Sequence, residues 1–118
     1  MFKIGESRIA LAKALEDLSR NEWAISDWRD NTVVNVDCED AFRSILPALE
    51  LALEQTDEYA FDSCCILALQ FAGVAQTTEH PTGLIDMLKL LNAHEQRLTQ
   101  SDRKVKELAR WFRVLNAI

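Results

Sequence analysis

The chain has 118 residues, of which 48% are hydrophobic and 27% charged, and its net charge is −6. This length fits a single domain over residues 1–118, and three glycines and two prolines are too few for a turn-rich β-sandwich or barrel. The acidic balance argues against a protein that coats nucleic acid or an anionic membrane.

The first two helices are predicted from amphipathic spacing. One runs from Ser7 to Ser19 with an inward stripe that includes Ile9. The other runs from about Glu22 to Asn31, with Asn21 as its candidate N-cap. The β-branched residues at 32–36 then predict either an extended connector or a short edge strand.

The third and fourth helices form the most apolar part of the chain. The third begins after Asp37, a good N-cap, and Pro47 within its pattern predicts a kink or a restart after Ser44. The fourth is capped by Asp57 and is apolar almost all round, which is typical of a central buried helix. Gly73 is expected to end it in a left-handed cap.

The last two helices complete an all-α pattern of about six helices. The fifth runs from about Pro81 to His94, and the sixth, capped by Ser101, carries inward residues as far as Leu115. The helices group into three antiparallel pairs that begin near residues 7, 38 and 81. This is a period of about 40 residues, which suits two-helix solenoid repeats.

The second helix of the last pair resembles that of a HEAT-type repeat. The resemblance rests on an Asp-x-x-Val-basic-x-x-Ala-x-x-apolar pattern, formed by Asp102, Val105, Lys106, Ala109 and Phe112. The helix capped by Asp57 follows the same spacing, but Phe61 replaces the basic residue. A HEAT-like stack of three pairs and an irregular six-helix bundle therefore both remain open.

The N-terminal region and the cysteines indicate a cytoplasmic protein. Charged residues interrupt the apolar positions of residues 1–20, so no signal peptide is predicted. The most apolar stretch falls short of the roughly 20 residues that span a bilayer, so no membrane helix is predicted. Cys38, Cys64 and Cys65 are an odd number without framework spacing, which predicts reduced thiols.

The sequence contains no short catalytic signature. His80 and His94 have no metal-ligand spacing around them, and a glycine-rich phosphate loop and a Gly-x-Ser-x-Gly elbow are both missing. A Cys–His pair formed in space stays open, although buried cysteines and surface histidines are the favoured interpretation. We therefore expect a protein that is not an enzyme and needs no cofactor or metal.

Charge is polarised along the chain. Residues 37–62 carry eight carboxylates and one arginine, whereas residues 97–113 carry six basic and two acidic residues. The acidic segment is either a solvated face with helix caps, partly neutralised by the basic last helix, or a docking face for a basic partner. Nucleic-acid mimicry is a special case of the second interpretation. The basic stripe lacks interleaved aromatic residues, so nucleic-acid binding is not favoured.

The three tryptophans divide between core and surface. Trp28 lies among apolar neighbours and Trp111 lies beside an inward stripe, so both are expected in the core. For Trp23, core packing and partial exposure both stay open. Tryptophan is enriched in binding hot spots, which makes Trp23 a candidate anchor for a partner.

A small, acidic, all-helical chain with HEAT-like spacing resembles the immunity proteins of bacterial toxin–immunity pairs. The resemblance implies an inhibitor that binds a cognate basic toxin, such as a nuclease, through an acidic face. The candidate partner-binding residues are Trp23, Glu39, Asp40, Glu50, Glu54, Glu58 and Asp62. The alternatives are a helical adaptor or regulatory module and, third, a small enzyme with an unrecognised site.

Overall fold

A computed structural model describes residues 2–118, which contain six α-helices, a short 3₁₀ turn and no strand. The all-α prediction is therefore confirmed. The elements in chain order are α1 (Ile4–Asp17), α2 (Ala24–Val33), α3 (Cys38–Leu53), α4 (Glu58–Ala75), α5 (Leu84–Thr99), α6 (Arg103–Trp111) and the 3₁₀ turn (Leu115–Ala117).

The helices stack as three pairs in two layers. Each helix packs against the other member of its pair and against the equivalent helix of the neighbouring pair. Consequently α1, α3 and α5 form one layer, and α2, α4 and α6 form the other. The molecule measures 41 × 35 × 20 Å, and its smallest dimension is about the thickness of two helices. This is the stacked alternative rather than the irregular bundle.

The central pair carries most of the core. Phe61 and Phe71 of α4 are fully buried. Phe2 meets Phe71 edge-on with ring centroids 5.7 Å apart, and the His94 ring of α5 lies 5.4 Å from the ring of Phe61. The helix that is apolar almost all round therefore has neighbours on nearly every side, as its composition predicts.

Local capping signals fix the starts of the central helices. The Asp37 carboxylate accepts the Asp40 backbone N–H at 2.8 Å, and the Asp57 carboxylate accepts that of Ala60 at 2.9 Å. Both predicted caps are confirmed. α3 continues through Pro47 without a restart, because the residues around the proline pack in the core and offset the missing backbone hydrogen bond.

The end of α4 differs from the prediction. The helix passes through Gly73 to Ala75, and Gln76 takes the left-handed conformation with φ 55°. Val74 and Ala75 pack against the core, and the Cys38 thiol donates to the Val74 carbonyl at 3.4 Å. Tertiary contacts therefore carry the helix past a residue that would locally end it.

The first pair is shifted relative to its predicted pattern. α1 begins at Ile4, its buried residues are Leu11 and Ala14, and Ile9 is 73% exposed, so the inward placement of Ile9 is wrong. α2 includes Thr32, whose hydroxyl donates to the Trp28 carbonyl at 2.6 Å. The stretch at 32–36 is thus the last turn of α2 and a connector, not an edge strand.

The helices of the last pair also begin and end at other residues than predicted. α5 begins after Gly83, which has φ 87°, and runs to Thr99, well past the predicted end at His94. α6 stops at Trp111, so the chain beyond it leaves the helical spacing. Leu115, predicted to point inward, is 37% exposed for this reason.

The turns inside the three pairs lie along one edge of the slab. The His94 Nε2–H donates to the Gln55 carbonyl at 2.7 Å, which places the end of α5 beside the turn between α3 and α4. Arg29 of α2 donates to the Ser63 hydroxyl of α4 at 3.0 Å. Because α2 ends where α3 begins, α2 and α4 run in the same direction and start at the same edge.

We call this surface the turn edge and define it as residues 18–23, 50–59 and 100–103. It carries six carboxylates and two arginines. The opposite edge contains the connectors between pairs, residues 34–37 and 76–83.

Candidate protein-docking surface

Trp23 is the most exposed aromatic side chain of the turn edge. It occupies the N-cap position of α2 and is 64% exposed. Its backbone N–H donates to the Asn21 side-chain oxygen at 3.1 Å, so the predicted cap Asn21 instead shapes the turn that presents Trp23. A large apolar side chain is thus held in solvent on an ordered backbone.

Tyr59 is a second exposed aromatic residue on this edge, and the sequence did not single it out. It lies in the first turn of α4 and is 47% exposed. Its position two residues after the capping Asp57 places it on the outer side of the helix start. That offset from the cap is the sequence signal that could have identified it.

Glu54 is held by a bidentate ion pair rather than left open. The Arg8 guanidinium of α1 donates to both Glu54 carboxylate oxygens, at 2.6 and 2.7 Å. This hydrogen bonding lowers the pKa of Glu54 below its ordinary value. The pair joins α1 to the end of α3 and cancels one of the predicted docking charges.

Glu50 and Glu58 are the open carboxylates near the turn between α3 and α4. Both are exposed, and between residues 2 and 118 neither side chain has a hydrogen bond or ion pair. Glu50 lies one helical turn before Glu54, so the two share a face of α3. The acidic surface available to a partner is therefore smaller than the sequence suggests.

Glu39 and Asp40 lie in the first turn of α3, at the opposite edge. Glu39 forms an ion pair with Arg43 one turn later. Because a helix rises about 1.5 Å per residue, Glu39 lies about 22 Å along α3 from Glu54. The seven candidate residues are thus divided between two ends of the slab.

Asp62 faces the basic last helix. It is half-buried, and burial raises the pKa of its carboxyl, while the positive charges of Lys104 and Arg103 oppose that rise. The two charged segments of the chain therefore meet in part, at the start of α4 and α6. Asp62 contributes to this internal contact more than to an open surface.

The two other tryptophans and His80 occupy structural positions in the fold. The Trp111 indole donates to the Thr77 carbonyl at 3.2 Å, and the side chain is 40% exposed, not buried as expected. Trp28 is 6% exposed, which confirms its placement in the core. The His80 Nε2–H donates to the Phe112 carbonyl at 2.7 Å.

The cysteines are free thiols in two environments. Cys38 is exposed, whereas Cys64 and Cys65 are buried in α4. Burial raises the pKa of Cys64 to about 12 and that of Cys65 well above its ordinary value. Because the thiolate is the nucleophile, these two side chains behave as small apolar residues at neutral pH.

Comparison of this chain with protein-family models, curated proteins and solved structures finds no match. None of the described helices is long and apolar enough to cross a membrane. Within residues 2–118, no group of three or more His, Cys, Asp and Glu side chains is placed to hold a metal ion.

Proposed function

We propose that this protein is an inhibitor that binds a basic protein through the turn edge. The observation that carries the proposal is the presence of two exposed aromatic side chains, Trp23 and Tyr59, beside open carboxylates on one edge. Buried aromatic anchors supply most of the affinity of protein interfaces, and flanking charges raise the association rate and select the partner.

Side-chain hydrogen bonds fix the backbone of the turn edge in the free protein. Asn21 fixes the turn before Trp23, Asp57 caps α4 next to Tyr59, and His94 holds the carbonyl of Gln55. A surface that is ordered before binding loses less conformational entropy when a partner docks. This supports a tight-binding role for the edge.

The partner that best fits the proposal is the cognate toxin implied by the resemblance to immunity proteins. A basic toxin is attracted by the acidic edge, and an inhibitor of this kind acts in the cytoplasm of the cell that makes the toxin. An immunity gene is expected directly after a toxin gene, so the product of the adjacent gene is the partner to test.

The proposal predicts protection of cells that express this adjacent product. Co-expression of the wild-type protein should restore growth. The double variant Glu50→Lys/Glu58→Lys should protect poorly, because reversing two open carboxylates replaces attraction of a basic partner by repulsion. Growth on inducing plates and cell counts in liquid culture measure the effect.

The matched control is Asp30→Lys/Glu79→Lys, which makes the same change in net charge at exposed carboxylates away from the turn edge that are unpaired within residues 2–118. It should protect as well as the wild type. Equal loss of protection in both double variants would show that net charge matters and the turn edge does not. A non-toxic adjacent product would refute the toxin assignment.

A further inference from the structure

A cavity of about 590 Å³ lies at the end of α6, where the chain passes into the 3₁₀ turn. The side chains of Arg110 and Arg113 line it, together with residues 114–117. Within residues 2–118, no carboxylate side chain belongs to this lining. The cavity is therefore bordered by two positive charges and by no negative one.

Neither arginine has a partner in the fold. Both are exposed, and neither guanidinium forms an ion pair or a hydrogen bond with another described residue. Glu107, the nearest acidic residue of α6, pairs with Lys104 at 3.6 Å and does not line the cavity. Like charges repel across a short distance, so an anion placed between the two guanidinium groups is attracted by both.

The end of α6 is closed without these side chains. The Arg113 backbone N–H donates to the Arg110 carbonyl at 3.1 Å, and the Val114 N–H donates to the Ala109 carbonyl at 2.8 Å. These two bonds form a Schellman motif, which satisfies the last carbonyls of a helix through the backbone alone. The guanidinium groups thus remain available for a ligand.

Arg113 occupies the position of this motif that usually holds glycine. Its φ is 59°, in the left-handed region that is unfavourable for a residue with a Cβ atom. The helix dipole favours a cation anywhere in the last turn of a helix, so it does not require arginine at this strained residue. Strained backbone that carries a polar side chain to a cavity is typical of functional sites.

We propose that Arg110 and Arg113 bind the phosphate group of a small phosphate monoester. At pH 7 such a group carries a charge of about −1.5 to −2 and three acceptor oxygens, which match two guanidinium forks. A carboxylate has a single charge and two oxygens, which one arginine satisfies. Val114 and Leu115 provide apolar contact for the rest of the ligand.

Size and charge favour a small ligand over a nucleic acid. The volume of the cavity is within the range of about 300–1,000 Å³ that is usual for small-molecule sites. A long polyanion would meet the net charge of −6 that the whole chain carries. A single phosphate group interacts with the two arginines without crossing the acidic central pair of helices.

The cavity lies away from the turn edge. The Trp111 indole donates to the Thr77 carbonyl at 3.2 Å, so the end of α6 lies beside the connector 76–83 at the opposite edge. The phosphate site is therefore separate from the proposed docking surface. The inference goes beyond the proposed function and does not depend on it.

A titration with phenyl phosphate tests the site, with ionic strength held constant by sodium chloride. The readout is the side-chain amide resonance of Asn116, a residue of the cavity lining, in the ¹⁵N-labelled protein. Its loss in Asn116→Ser identifies this resonance. We expect a saturable shift with phenyl phosphate and much weaker binding of benzoate, which has the same ring and a singly charged carboxylate.

Two variants and a matched control make the test specific. Arg110→Gln and Arg113→Gly each remove one guanidinium and should weaken binding roughly tenfold or more. Arg113→Gly also relieves the left-handed backbone, so it should melt at a higher temperature than the wild type, which separates lost binding from lost folding. Arg97→Gln removes an exposed guanidinium of α5 outside the cavity and should leave the affinity unchanged.

The inference is overturned if the Asn116 resonance does not shift with phenyl phosphate, or if benzoate binds equally tightly. Equal losses of affinity in Arg110→Gln and Arg97→Gln would also overturn it, because they would reduce the effect to net charge. If Arg110→Gln fails to fold, Arg113→Gly decides the question, and wild-type affinity in that variant would refute the site.

Discussion

Replacement of Glu95 by alanine should lower the free energy of unfolding by about 3 kcal/mol, because each buried amide left without an acceptor costs about 1–3 kcal/mol. Glu95 belongs to α5 and is 2% exposed. Its two carboxylate oxygens accept the backbone N–H groups of Lys104 and Val105, at 3.1 and 3.2 Å. Both donors belong to the first turn of α6.

Glu95 replaces the cap that α6 does not provide for itself. Asp102 occupies the N-cap position without a capping hydrogen bond and pairs with Lys106 at 2.8 Å instead. The Ser101 hydroxyl accepts only the Arg103 N–H, at 3.2 Å. The first-turn amides of α6 are therefore capped by one buried carboxylate that belongs to another helix, α5.

Urea unfolding followed by circular dichroism measures the effect. Glu95→Gln keeps one oxygen acceptor and should cost about 1 kcal/mol, within the range for a lost cap. The control is Glu16→Ala, at an exposed carboxylate of α1 that has no ion pair among the described residues 2–118, and it should change stability by less than about 0.5 kcal/mol. A loss for Glu95→Ala no larger than this control would contradict the capping role.

The stability difference between wild type and Glu95→Gln should also depend on pH. Burial raises the pKa of Glu95 above its ordinary value near 4.5, and the two backbone hydrogen bonds offset this only in part. The nearby carboxylates of Asp62 and Asp102 raise it further. The folded protein therefore binds this proton more tightly than the unfolded chain does.

Because the pKa of Glu95 is higher in the folded protein than in the unfolded chain, its protonation favours the folded state. Its contribution to stability therefore increases as the pH falls through the folded-state pKa toward the ordinary value of about 4.5. The free energy of unfolding of the wild type should therefore rise relative to that of Glu95→Gln when the pH is lowered from 7 to 5, because glutamine cannot take up the proton. Urea unfolding at both pH values measures the change. A constant difference, or one that moves the other way, would contradict it.

Trp23→Ala should weaken binding to the partner by about 2–3 kcal/mol, or roughly 30–150-fold, as expected for an aromatic hot spot. The stability of the free protein should stay within about 0.5 kcal/mol, because the side chain is 64% exposed and its backbone role remains. Isothermal titration calorimetry and urea unfolding separate the two effects.

Leu90→Ala is the matched control for the loss of exposed apolar surface. Leu90 is 58% exposed on α5, in the other layer of the slab from Trp23. Its removal should leave the affinity unchanged. Equal losses for both variants would mean that the partner does not anchor on the turn edge.

Local signals account for what the sequence predicts correctly about the fold. Asp37 and Asp57 cap their own helices within three residues, and the apolar composition of residues 58–75 marks the central helix. The end of α4 could not be predicted in this way. It depends on Val74 packing against an element that lies far away in the chain.

The cap of α6 shows the same limit most clearly. Ser101 and Asp102 both carry the usual capping side chains, yet the acceptor that reaches the amides of Lys104 and Val105 comes from Glu95 in the preceding helix. Amphipathic spacing identifies α5 but does not reveal that one of its buried positions holds a carboxylate with this role. This role follows only from the way α5 packs against α6.

The negative charge of the candidate site could be predicted from the sequence, but the residues that form its open surface could not. The sequence indicates an acidic surface and names Trp23 as a candidate anchor, whereas the ion pair between Arg8 and Glu54 joins residues far apart in the chain. The contact of Asp62 with the basic helix is likewise tertiary. Helical pairing alone could not show which carboxylates stay open.

The association rate constant with the purified partner tests the central claim most directly. We expect Glu50→Lys/Glu58→Lys to lower this constant about tenfold when it is measured by stopped-flow fluorescence at low salt. Reversing charges of the turn edge mainly slows the diffusional encounter of the two proteins. The Asp30→Lys/Glu79→Lys control should stay near the wild-type rate, and the difference should shrink at high salt. Equal rates for the two double variants at low salt would contradict docking through the turn edge.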